Sequence, residues 1–210
     1  GNKLSKRHGA MAIGDYKNMG YLPETIVNYL VRLGWSYGNQ EFFTISEMID
    51  LFKIEKVNKS PSRLDFKKLT NMNSSYIKNK DNNDILTIIK SYHQELGADL
   101  SDKNIDSKIL MITPSLKEKS KTTNDLITLS SYLITNDPIV ISNELLDTFK
   151  QETDQYLTDT VNIIKNIKNW NIEEIEISIK AYVNKNNIKL FELAQPLRII
   201  LTGSNVSIGI

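Results

Sequence analysis

The sequence predicts a mostly α-helical chain, and three observations carry that expectation. Apolar residues recur at helical spacing almost from end to end. Helix start and stop signals accompany them. Strand signals are confined to short stretches such as Phe42-Phe43-Thr44 and Ile139-Val140-Ile141.

Taken in order, the first helix to expect lies at about 23–33. Pro23 stands at a first helical position, where its missing N–H would have no partner anyway. Ile26, Tyr29, Leu30 and Leu33 follow at helical intervals, and Gly34 offers a left-handed close. Thr44 with Glu47 reads as a capping box for a short helix carrying Met48, Leu51 and Phe52. Asp65 reads as the N-cap of a helix running toward Tyr76.

Further on, Ile85, Ile88, Ile89, Tyr92 and Leu96 form a stripe ending at Gly97, and Leu126, Leu129 and Leu133 form another, with Pro114 marking the start of the segment between them. The polar stretches Asn79 to Asp84 and Thr135 to Pro138 read as linkers. A long helix is expected at about 143–168, a second at about 172–186, and a third through Phe191, Ala194, Leu197 and Leu201.

The 210 residues are 40% hydrophobic, enough to bury a core as one large domain or two to three small ones. With 26 basic against 25 acidic side chains the net charge is +1, so any nucleic-acid contact must come from local patches. Lys53 to Lys68 is such a patch, with six basic and two acidic residues. A solvated helix surface would look the same on charge alone. There is no cysteine, and His8 and His93 are the only histidines, which argues against disulfides and a structural zinc. No long apolar run and no signal-peptide pattern occurs, so a cytoplasmic protein without membrane association is expected.

The chain opens on Gly1-Asn2-Lys3-Leu4-Ser5-Lys6-Arg7-His8-Gly9, where lysines flank a hydroxyl residue and glycines bracket the whole. Compact cations, a hydroxyl donor and an unobstructed backbone suit a loop that wraps a polyphosphate. Lys3-Leu4-Ser5-Lys6-Arg7 resembles the second signature loop of class I aminoacyl-tRNA synthetases. The strings Asp15 to Glu24, Asn28 to Ser36, Lys56 to Asn73 and Gln195 to Gly203 extend the resemblance along the whole chain to the bacterial glutamyl-tRNA synthetases. Thr70-Asn71 stands where that family usually has an aspartate-tryptophan pair.

The resemblance implies three modules: the signature loop and a helical stem-contact region at 1–78, then an all-helical anticodon-binding unit of two subdomains at 79–137 and 138–210. It implies ATP, with Mg, bound through Lys3, Ser5, Lys6 and Arg7, and gives Lys6 the catalytic role of meeting charge on the departing pyrophosphate. It implies that Lys67 and Lys68 meet the inner face of the tRNA for glutamate. For any one lysine, plain solvation of the helix is an equal reading. It assigns the first anticodon nucleotide to Arg198 and the middle one to the loop Ser207 to Ile210, with Ser207, Ile208 and Ile210 as contacts. The third falls to Lys119, whose point charge lacks a bidentate fork, so selectivity against the tRNA for glutamine is not implied.

The family's first signature and amino-acid pocket lie upstream of its second loop. The chain is therefore expected to be a piece of a ligase that activates glutamate with ATP, inactive alone, monomeric, and ending inside the base-reading loop. A rival from another class is a noncatalytic helical adaptor binding protein partners through a groove, which would ignore tRNA. Its helices would carry apolar residues on two faces, whereas the stripes here are mostly one-sided.

Overall fold

The computed structural model describes residues 11–59, 63–134 and 138–209. Among them lie eleven α-helices and no strand, with a single antiparallel bridge between Tyr37 and Gln40. Both candidate strand stretches are loops. The mostly α prediction therefore holds. The chain divides into two compact units, 1–134 and 135–210.

The first unit holds α1 (Ile13–Asn18), α2 (Pro23–Gly34), α3 (Ile45–Leu51), α4 (Phe66–Asn79), α5 (Asn82–Glu95), α6 (Ile105–Lys119) and α7 (Thr123–Ser130). Pro23 opens α2 as expected, but Gly34 remains helical and the chain leaves through extended Trp35. The Gly34 carbonyl accepts from Asn58 N at 2.6 Å, and a Cβ there would meet Val57 Cγ1 at 3.4 Å. Thr44 and Glu47 form the expected reciprocal cap of α3, and Asp65 caps α4 by accepting from Lys67 N and Lys68 N.

Helix α2 packs on α4 around Tyr21, Tyr29 and Leu69, with Ile26, Leu33 and Met72 against them. Helices α5, α6 and α7 pack on one another, and Ile85, Ile89, Ile109, Leu116 and Leu126 are fully buried. Contact between α4 and α6 joins these two groups. The linker expected at 79–84 shrinks to the two residues between α4 and α5. The segment between the two stripes does not start at Pro114: its helix α6 begins at Ile105, and Pro114 sits inside it on the exposed side. The ring removes one backbone donor there, and the exposed face is where the freed carbonyl can turn to water.

At the centre of the first unit, Asn73 is fully buried with its side-chain amide bonded on both ends. Its Oδ1 accepts from Leu22 N and Thr25 Oγ1, both at 2.8 Å. Its Nδ2 donates to the carbonyl of Lys121 at 2.7 Å and to that of Gly20 at 3.4 Å. Gly20 has φ +80, and a Cβ there would stand 2.8 Å from Asn124 N, so both its dihedral and its space require glycine. One amide thus joins the turn before α2, helix α4 and the turn before α7.

The second unit holds α8 (Asn143–Leu146), α9 (Thr153–Lys165), α10 (Ile172–Lys185) and α11 (Leu190–Thr202). The single helix expected at 143–168 is broken. Thr148 Oγ1 donates to the Leu145 carbonyl at 2.6 Å, and Thr153 Oγ1 accepts from Lys150 N at 3.0 Å. Such local side-chain bonds compete with the helical ladder and end it. Helices α9, α10 and α11 pack together. The face of α11 that is buried runs through Leu193, Pro196 and Ile199, while Phe191 and Leu201 are exposed. The stripe expected through 191, 194, 197 and 201 is therefore rotated, with Pro196 buried inside the helix. Gly203, at φ +68, closes α11.

Candidate nucleic-acid interface

The signature-loop residues Lys3, Ser5, Lys6 and Arg7, and Ile210 at the other end, lie outside the described residues. The remaining candidates fall into three places, two in the first unit and one in the second.

In the first unit, an open groove of about 1060 Å³ runs along α2 and the start of α4, and Arg32, Arg63, Lys67 and Lys68 line it. The sequence folds that way because Asp65 is spent on the cap. Its Oδ1 accepts from Lys67 N at 2.9 Å and Lys68 N at 3.1 Å, which fixes the first turn and leaves both lysine side chains exposed. Tyr29 Oη seats the same turn, accepting from Asp65 N at 2.7 Å. Arg32 is more constrained: Nη1 donates to the Gln40 carbonyl at 2.7 Å and stands 3.8 Å from Glu41 Oε1. Glu41 and Asp65 also line the groove, so the four cations face two carboxylates, and the Asp65 carboxylate already caps the α4 N-terminus.

Lys119 closes α6 in an exposed position, and its neighbours tie it to α4. Ser74 Oγ donates to the Ser120 carbonyl at 3.2 Å, beside the Asn73 bond to Lys121. Between Lys68 and Ser74 lies roughly 9 Å of helical rise, which fixes the spacing between the basic groove and Lys119.

In the second unit, Arg198, Ser207 and Ile208 come together at the end of α11. Arg198 Nε donates to Ser207 Oγ at 3.0 Å, Arg198 Nη1 donates to Gln195 Oε1 at 2.5 Å, and Ser207 Oγ donates to the Ile208 carbonyl at 2.6 Å. Ser207 and Ile208 are buried at 5% and 8% exposure, so the serine hydroxyl acts within the loop as a support for the arginine. A guanidinium carries five N–H donors, of which three remain, all on Nη1 and Nη2 at the outer end of the fork. That end can meet a planar acceptor edge in bidentate fashion.

Sequence reasoning includes Arg32, Arg63, Asn73 and Gln195 in the strings that carry the resemblance but gives none of them a role of its own. Asn73 carries a usable signal: an asparagine at helical spacing from Leu69 and Ile77, on the buried face of α4, must find partners for both ends of its amide. Among the described residues no group of three or more His, Cys, Asp or Glu side chains could hold a metal ion. Among the same residues no helix is long and apolar enough to cross a membrane.

The family model for the anticodon binding domain matches residues 68–210, and that for the catalytic domain of class I tRNA synthetases (E and Q) matches residues 1–71. Glutamate–tRNA ligases from Nitrobacter hamburgensis and Nitrobacter winogradskyi are 38% and 39% identical over 100% of this chain and 45% of their own. A crystal structure of a glutamate tRNA ligase from Elizabethkingia meningosepticum in complex with its amino acid superposes with a TM-score of 0.78. It is 24% identical, over 100% of this chain and 44% of that one. The chain thus spans about half the length of the curated relatives it matches. With the anticodon-binding model covering more than half of the chain and the relatives matching all of it, this protein belongs to the glutamate–tRNA ligase family, in the part that carries the anticodon binding domain.

Proposed function

We propose that this chain is the tRNA- and anticodon-binding part of a glutamate–tRNA ligase, which activates glutamate with ATP and transfers it to its tRNA. The observation that carries the reading is the basic groove at the start of α4, where four cations converge on the region joining the two matched family models. Phosphates supply the matching charge. An A-form stem presents phosphates and 2′-hydroxyls across a wide minor groove, so Lys67 and Lys68 contribute affinity by shape and not by sequence.

Reading of the first two anticodon nucleotides falls to the second unit. The outer N–H groups of Arg198 meet the first anticodon nucleotide, and the loop at Ser207, Ile208 and Ile210 meets the middle one, with backbone groups serving where the side chains are buried. Lys119 meets the third as a point charge. The modules at 1–78, 79–137 and 138–210 correspond to loop and stem contact and to the two anticodon subdomains. In the whole protein, ATP with Mg, held by Lys3, Ser5, Lys6 and Arg7, would supply the adenylyl group that activates the glutamate carboxyl, with pyrophosphate leaving and Lys6 meeting its charge. The working location is the cytoplasm, and the working form a monomer.

Affinity of the 210-residue chain for the tRNA for glutamate, measured across a salt series, tests the reading. Replacing Lys67 and Lys68 by alanine should weaken all tRNAs alike and flatten the slope of log affinity against log salt by up to about 2. Binding that ignores tRNA, or a slope that does not change, would refute it.

A further inference from the structure

Gln195 lies one turn before Arg198 on α11, so the two side chains share a face of the helix. Its amide is used at both ends. Oε1 accepts from Arg198 Nη1 at 2.5 Å, and Nε2 donates to the backbone carbonyl of Asn205 at 3.1 Å. On the far side of the guanidinium, Ser207 Oγ accepts from Nε at 3.0 Å. Two acceptors on different sides fix the plane of the guanidinium, where one alone would leave it free to swing. One of those acceptors also holds the loop beyond α11, through Asn205.

An arginine that reads a base edge needs that fixed plane, because a fork discriminates only when both of its N–H groups arrive together. We propose that Gln195 is a positioning residue for specificity. It holds the outer end of Arg198 and the 204–209 loop in one register, so that both arrive at the anticodon already oriented. The inference rests on the reading of Arg198 given above. Glutamine suits the task because it accepts and donates at once. A carboxylate would keep the grip on Arg198 but lose the bond to Asn205, and alanine would lose both.

The test uses the 210-residue chain with transcripts of the tRNA for glutamate carrying the native or a replaced first anticodon nucleotide. Gln195→Ala should lower the preference for the native transcript about 10-fold, while affinity for the replaced transcripts stays within about 2-fold of the parent. Gln195→Glu, which retains the acceptor toward Arg198, should keep that preference within about 3-fold. Arg198→Ala is measured beside them. If Arg198→Ala flattens the preference and Gln195→Ala does not, the positioning role is wrong while the reading of Arg198 stands. If Arg198→Ala leaves the preference intact, both fall. A Gln195→Ala variant that weakens every transcript equally has lost structure and not register, which overturns the proposal. So does a Gln195→Glu variant as unselective as the alanine form.

Discussion

Replacing Asn73 by aspartate changes one atom's chemistry at a fully buried point and almost nothing of its volume. The two acceptor contacts, to Leu22 N and Thr25 Oγ1 at 2.8 Å, can survive. The two donations cannot, and a carboxylate oxygen would face the Lys121 carbonyl across a gap of 2.7 Å. A buried polar group left unsatisfied costs about 1–3 kcal/mol, and a charged one more. The Lys121 contact accounts for most of the loss, because the Gly20 contact at 3.4 Å is long. The expected destabilisation is about 4 kcal/mol near neutral pH, from the lost bonds and the burial of charge. Protonation restores one donor and removes the charge, leaving about 2 kcal/mol.

The direction of the pH dependence follows from that. Burial raises the folded-state pKa of the introduced carboxyl above its unfolded value, so the variant is strongest below the unfolded pKa and loses stability as pH rises through the folded one. Urea unfolding can be followed by the fluorescence of Trp35, buried in the first unit, after the exposed Trp170 of the second is changed to phenylalanine. The comparison is of variant against parent at about pH 4 and about pH 7.5. A loss below about 1 kcal/mol at neutral pH, or one that does not shrink on acidification, would refute the view that this amide is the junction of the first unit.

Two further expectations concern titrating groups. The backbone N–H of Thr44 holds the Glu47 carboxyl below its ordinary 4.5, with the Thr44 hydroxyl and Gln40 assisting. The cap of α3 is therefore complete above 4.5 and opens as pH falls below it. The Thr44 amide proton shift should report a midpoint under that value, and Glu47→Gln should abolish the transition; a midpoint at or above the ordinary value would contradict the cap. Burial, aided by the hydrogen bond to Asp159, pushes the Tyr182 phenol up to about 12. Its contribution is fully present below the ordinary 10.0 and is lost as pH rises from there toward about 12. The urea midpoint of the second unit should fall with alkali in the parent and stay flatter in Tyr182→Phe. Parallel curves would show that the phenol does not report folding.

Helix starts that depend on one residue's own chemistry were legible in the sequence: Pro23, the Thr44 and Glu47 pair, and Asp65 each do what their local bonding dictates. What escaped depended on partners distant in the chain or on competition between bonds of similar strength. Thr148 and Thr153 divide a segment whose apolar spacing reads as continuous, because their hydroxyls capture backbone groups that a helix would use. Pro196 sits inside α11 where its burial outweighs one missing bond, and Pro114 inside α6 where the freed carbonyl faces water, neither of which a local rule foretells. The candidate site follows the same division. The basic run at the start of α4 was visible as composition, and Arg198 as part of a motif. The groove, the grip of Gln195 and the buried role of Ser207 needed the fold, since each rests on contacts between elements or across a turn.

The Asn73 junction also fixes an order of events. Its partners on one side, Leu22 and Thr25, are 51 and 48 residues behind it, and Lys121 is 48 residues ahead. As the chain leaves a ribosome, α2 and α4 can meet and satisfy the amide oxygen while the amide nitrogen still has only the long contact to Gly20. The pair remains half-closed until α6 and the turn after it emerge. Two loops of nearly equal span close on one side chain, and the entropy of closing each is lost before the full set of bonds is gained. The first unit should therefore become cooperative only when its last segment is made. A chain stopped before Lys121 would hold a formed but loose α2 and α4 pair, open to proteases at the turn around Gly20.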